Sequence, residues 1–75
     1  MEIDNRLAER LDEMGISLSE LWRRIVRNGG DVSYRTLFAI YNKSRTGFTA
    51  RVMMQVCQAT DTTLGEMFFL KNGKG

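Results

Sequence analysis

Histidine and proline are absent from this 75-residue chain, and cysteine occurs once, at Cys57. Without histidine, the usual neutral-pH general base and the commonest metal ligand are both missing. One cysteine closes no internal disulfide and completes no thiolate zinc site. Cys57 falls on a helical apolar stripe and is expected in the core. No apolar run approaches the ~18–20 residues of a membrane span, and no signal peptide is recognisable. Catalysis would need a pair of titratable groups held in a pocket, and no such pair stands out. The chain is therefore expected to be no enzyme, to carry no cofactor or metal, and to show no membrane or small-molecule partner. β-branched residues never alternate over a long run, so the expected fold is all-α. At 43% hydrophobic and 27% charged, it reads as one folded domain over residues 1–70 with a frayed tail at 71–75.

Charge is segregated along the chain. Residues 1–22 set Arg6 and Arg10 against Glu2, Asp4, Glu9, Asp12, Glu13 and Glu20, a net of −4. Residues 23–51 set Arg23, Arg24, Arg27, Arg35, Lys43, Arg45 and Arg51 against Asp31 alone, a net of +6. A cationic block of this kind is the electrostatic footprint of a polyanion-binding surface.

Ile3, Leu7, Leu11 and Met14 recur at helical spacing and predict a first helix from about Ile3 to Met14, closed by Gly15 with Ile16 packing back on Leu11. Ser17-Leu18-Ser19-Glu20 is a capping box for a second helix, with Leu21, Trp22, Ile25 and Val26 as its buried stripe. Asn28-Gly29-Gly30-Asp31 predicts a turn. The glycine pair lacks the preceding strand and the Lys-Ser/Thr of a phosphate-cradling loop, so no nucleotide site is expected. Thr49 caps a fourth helix with Val52, Met53, Val56, Cys57 and Thr60 inward, and Asp61 closes it. Thr63-Leu64-Gly65-Glu66 is a second capping box, opening a short fifth helix through about Phe69.

Between these lies Val32–Arg45. Ser33 is a good N-cap for a third helix over Tyr34 to Asn42, and Val32 with Leu37 forms a hydrophobic staple. Leu37, Ile40 and Tyr41 share one face. Arg35, Ala39 and Asn42 lie opposite, with Phe38 on the flank. Arginine, amide and apolar groups are what read a DNA major groove. An ordinary amphipathic surface helix would show the same spacing.

The assembled pattern resembles the helix-turn-helix domains of the phage Cro and repressor class, the XRE-type regulators. The resemblance rests on Arg6-Leu7, Gly15-Ile16-Ser17 with Glu20-Leu21, Val32-Ser33 leading to Thr36-Leu37 and Ile40, Asn42-Lys43, and Ala59 with Thr63-Leu64-Gly65-Glu66-Met67-Phe68. It covers Asn5 to Phe69 and implies five short helices in a lambda-repressor-like domain. By position, Tyr34, Arg35, Phe38 and Ala39 are the implied base contacts. Ser17, Leu18, Arg27, Asn42, Lys43, Ser44 and Arg45 are the implied phosphate contacts, although Leu18 replaces a frequent Gln and loses that side-chain bond. The family's second and third helices meet at a tight turn. Here the connection is about five residues longer, and Trp22 stands where Ala is preferred. We expect the Trp to separate the two helices and the longer turn to tolerate the separation. Leu11 and Tyr41 stand where some members hold a buried Arg–Glu pair. The implied function is a small double-stranded-DNA-binding repressor of phage or mobile-element origin, in the bacterial cytoplasm. Phe69 and Leu70 are expected to face outward from the last helix and to form a homodimer interface. The alternative is a protein-interaction module (antirepressor, antitoxin or adaptor) on the same fold.

Overall fold

The computed structural model describes residues 2–44 and 48–71. The elements are β1 (Glu2–Asn5), α1 (Leu7–Met14), α2 (Leu18–Arg27), α3 (Tyr34–Tyr41), α4 (Ala50–Thr60), α5 (Leu64–Met67) and β2 (Phe68–Lys71). The five expected helices are present. The two strands were not foreseen: β1 and β2 pair antiparallel, with Glu2 opposite Lys71 and Asn5 opposite Phe68.

Asn5 explains why the first helix begins at Leu7 and not at Ile3. Its Oδ1 accepts the Leu7 N–H at 3.0 Å, and its Nδ2 donates to the Ile40 carbonyl at 3.1 Å. Those bonds satisfy a buried amide only if the chain breaks there. The Arg6 N–H then donates to the Met67 carbonyl at 2.9 Å, continuing the tie between the chain's two ends. At the other end, α5 stops at Met67, two residues short of the expected Phe69, because Phe68 turns extended (φ −119°, ψ 134°) and joins the sheet. Lys71, placed in the tail by its sequence context, belongs to β2.

The capping signals act largely as read. Gly15 adopts φ +69°, and its N–H reaches the Asp12 carbonyl while that of Ile16 reaches Leu11, both at 3.2 Å. This is a complete Schellman end. Ser17, Ser33, Thr49 and Thr63 each accept an N–H three residues on. At Thr63 the box is reciprocal, Glu66 accepting the Thr63 N–H at 2.8 Å, which holds the Glu66 carboxyl below its ordinary pKa. At Ser17 only half the box forms, since Glu20 turns instead to Arg24 at 3.4 Å and Arg23 at 3.6 Å.

The core gathers Leu7, Leu11, Leu21, Ile25, Leu37, Ile40, Val56, Met67 and Phe68. Cys57 is buried as expected, and burial raises its thiol pKa. Trp22 and Val26, expected inside, are 36% and 48% exposed, and Tyr41 and Leu64 are 40% and 47% exposed. Helix α2 buries a single narrow stripe through Leu21 and Ile25, so their neighbours one position on are carried round to solvent.

Candidate nucleic-acid interface

Helix α3 is fixed from behind and open in front. Val32, Leu37 and Ile40 are at most 4% exposed, and Ser33 caps the first turn by accepting the Thr36 N–H at 3.2 Å. Tyr34, Arg35, Phe38, Tyr41 and Asn42 are exposed. Arg35 makes no ion pair with any described residue. Tyr34, Phe38 and Tyr41 form a stripe along one side of the helix and border a groove shared with Leu11, Ile16 and Leu18. Leu11 and Tyr41 thus meet the same groove, the first buried and the second exposed.

One expected base contact is corrected. Ala39 is buried, at 9% exposure, and past it the Ser44 N–H donates to the Ala39 carbonyl at 3.0 Å. Ser44 Oγ reaches the same carbonyl at 3.5 Å, and Asn42 Oδ1 accepts the Ser44 N–H at 3.1 Å. The polar groups of Asn42 and Ser44 therefore build the end of α3. Lys43 takes a left-handed conformation (φ +59°), and its Nζ lies 3.0 Å from Asp4 Oδ1 on β1. Arg45 lies outside the described residues.

On α2, Ser17 is exposed at the N-terminus, whereas Leu18 is half-buried against the core. Arg27 is exposed and makes no ion pair among the described residues. The Trp22 indole, 36% exposed, bridges α2 and the start of α3. Its ring lies at their outer edge, edge-on to Tyr34 with centroids 6.4 Å apart, and its Nε1 donates to the Val32 carbonyl at 3.1 Å.

The connection over residues 28–33 is long, but every backbone N–H from Asn28 to Val32 is bonded. Gly29 (φ +85°) and Gly30 close α2 with a second Schellman end, their N–H groups reaching the Val26 carbonyl at 3.0 Å and the Ile25 carbonyl at 2.8 Å. Gln55 of α4 then takes over. Its Oε1 accepts the N–H groups of Asp31 at 3.0 Å and Val32 at 3.2 Å, while its Nε2 donates to Asp31 Oδ1 at 2.8 Å. Arg51 Nη2 meets the other Asp31 oxygen at 2.8 Å. The Gln55 amide first, and Arg51 with it, hold the Asp31 carboxyl below the ordinary aspartate range. Gly30 sits so close that a Cβ on it would be 2.5 Å from Ile25 Cγ2, 2.6 Å from Gln55 Oε1 and 2.9 Å from the Ile25 carbonyl oxygen.

Phe69 and Leu70 lie on β2 and not on a C-terminal helix. Leu70 is 64% exposed, but Phe69 is half-covered, with the Arg6 guanidinium 5.3 Å above its ring. Among the described residues no cluster of His, Cys, Asp and Glu could hold a metal ion, and no helix is long and apolar enough to cross a membrane. Sequence reasoning missed Asn5 and the Asp31–Arg51–Gln55 group. The lone acid inside the basic block was the available signal for the second.

The family model for the Cro/C1-type HTH DNA-binding domain matches residues 6–71 of the chain. No curated protein and no solved structure matches it.

Proposed function

The chain belongs to the Cro/C1-type helix-turn-helix DNA-binding domains, and from that premise we propose that it is a sequence-specific regulator, a small repressor of phage or mobile-element origin acting in the bacterial cytoplasm, with no enzymatic activity. The observation that carries this reading is Arg35: an exposed guanidinium with no ion-pair partner among the described residues, on the first turn of a helix whose opposite side is buried. A guanidinium so placed can bond bidentately to guanine O6 and N7, and the neighbouring Tyr34 and Phe38 offer apolar surface to thymine methyls. Ser17 at the start of α2, Arg27 and Lys43 are the phosphate-facing groups in this reading. Lys43 arrives there already oriented by Asp4.

In this reading two copies bind a palindromic site, the exposed side chain of Leu70 supplying an apolar contact between them. A second reading, a protein-interaction module, is favoured by the exposed aromatic stripe of Tyr34, Phe38 and Tyr41. Selection from a random 20-base-pair duplex library separates the two. A regulator enriches one sequence and binds it at least ~10³-fold more tightly than a scrambled duplex. An interaction module enriches none.

A further inference from the structure

The long turn between α2 and α3 carries an internal brace, and its consequence reaches the interface. The carboxamide of Gln55 belongs to α4, which holds no part of the proposed DNA surface. Yet Gln55 Oε1 accepts the N–H groups of Asp31 and Val32, the two residues immediately ahead of the Ser33 cap. Its Nε2 returns to Asp31 Oδ1, and Arg51, one helical turn earlier, holds Asp31 Oδ2. Trp22 occupies the Val32 carbonyl from the α2 side. The backbone N–H groups from Asn28 to Val32 are thus all bonded, the first three to α2 carbonyls and the last two to one side chain of α4.

A connection this long would ordinarily let the recognition helix vary in pitch and roll relative to α2. We infer that Gln55 is a positioning residue for DNA recognition: with Asp31 and Arg51 it clamps the extended turn to α4 and thereby sets the angle at which α3 presents Arg35 and Phe38. The inference rests on the DNA-binding reading. It adds that discrimination between sequences depends on a residue that never touches DNA. Pre-organisation acts selectively here, because base contacts need α3 in one pose whereas phosphate attraction tolerates several.

The test uses the full chain, the duplex selected by the wild type, and a scrambled duplex of equal length. Gln55→Glu keeps an acceptor for the two N–H groups but turns a carboxylate oxygen on Asp31. Adding Asp31→Asn restores that bond with its polarity reversed. The single variant should lower the specific-to-scrambled affinity ratio about tenfold, the size of one lost base contact, with scrambled binding unchanged. The double variant should recover most of the ratio. Amide hydrogen exchange without DNA should show residues 31–36 exchanging faster in the single variant while α4 and α5 keep their protection. Such a pattern in both assays supports the clamp. A ratio unchanged in the single variant, no recovery in the double, or equal protection at 31–36 overturns it. A wild type that selects no duplex overturns the DNA reading instead, and hydrogen exchange then decides the clamp by itself.

Discussion

Replacing Gly30 by alanine adds a single methyl group at the place where the turn, α2 and α4 meet. The φ of Gly30 is not in the left-handed region, so the cost comes from space alone. The new Cβ would sit 2.5 Å from Ile25 Cγ2 and 2.9 Å from the Ile25 carbonyl oxygen. That carbonyl belongs to the body of α2 and already accepts the Gly30 N–H at 2.8 Å, so it has no direction in which to yield. Overpacking of this kind costs about 1–3 kcal/mol. Displacing the Gln55 carboxamide, 2.6 Å from the same Cβ, weakens its two acceptor bonds at about 1 kcal/mol each. Together about 3–5 kcal/mol is expected, from a domain whose total stability is about 4–11 kcal/mol at its size. Urea melts followed in parallel by Trp22 emission and far-ultraviolet dichroism measure it, since the indole alone would report the turn and not the whole fold. Two glycines calibrate the result. Gly29→Ala meets no atom within 4 Å but must hold φ +85°, at about 1 kcal/mol. Gly65→Ala meets nothing and lies in α5, where a gain of about 0.5 kcal/mol is expected. The stability order should be Gly65→Ala, wild type, Gly29→Ala, Gly30→Ala. A Gly30→Ala protein that melts with the wild type would refute the close-approach argument.

Arg35→Ala should cost about 1–3 kcal/mol on the selected duplex and relax preference at one base pair; an equal loss on every duplex would make Arg35 a phosphate contact. Trp22→Phe keeps the ring at the edge of α2 but leaves the Val32 carbonyl without its donor, for about 1 kcal/mol in urea melts, and no loss would show that carbonyl to be served by solvent. The Asp31 carboxyl, held below its ordinary pKa by Gln55 and Arg51, stabilises the fold fully above the unfolded-state value near ~3.9 and loses that contribution as pH falls through the lower folded value. The stability gap between wild type and Asp31→Asn should therefore close below about pH 4, and a constant gap would contradict the assignment. Sedimentation on the selected duplex should give two copies per site for the wild type and one for Leu70→Asp; a wild type bound singly would end the dimer proposal.

Most helix starts and stops were legible because each is written in one or two adjacent residues; the start of α1 and the stop of α5, which the sheet sets, were not. Gly15, Ser17, Ser33, Thr49, Asp61 and Thr63 each act locally, and each stands at the end it was read for. The sheet was not legible because its signal is divided between the chain's two ends. Ile3, spaced four residues from Leu7, satisfied helical periodicity by itself, and the partner that makes it a strand residue is Leu70. Phe68-Phe69-Leu70 was read as an overfilled helix, although three consecutive large apolar residues fit a two-sided strand better than a narrow helical stripe. The interface divided in the same way. Arg35 and Phe38 were read as exposed from spacing within one helix. Ala39 shares the Arg35 face by spacing, yet its short side chain is buried. Gln55 was invisible because its bonds cross more than twenty residues to the turn.

The β1–β2 pair also determines how the domain meets mechanical load. Tension brought in at residue 2 and out at residue 71 acts at the open end of an antiparallel pair, whose hydrogen bonds lie across the strands. Such a pair peels, one rung failing at a time, at forces far below those needed to shear it. The pull first parts Asp4 from Lys43, just past the end of α3, and then meets the Asn5 carboxamide with its bond to the Ile40 carbonyl. A tug from a flanking segment is therefore absorbed by the peeling strands before it reaches the helix that carries Arg35. The sheet would then act as a mechanical fuse, opening at the margins and freeing Lys43 before the body of α3 is disturbed.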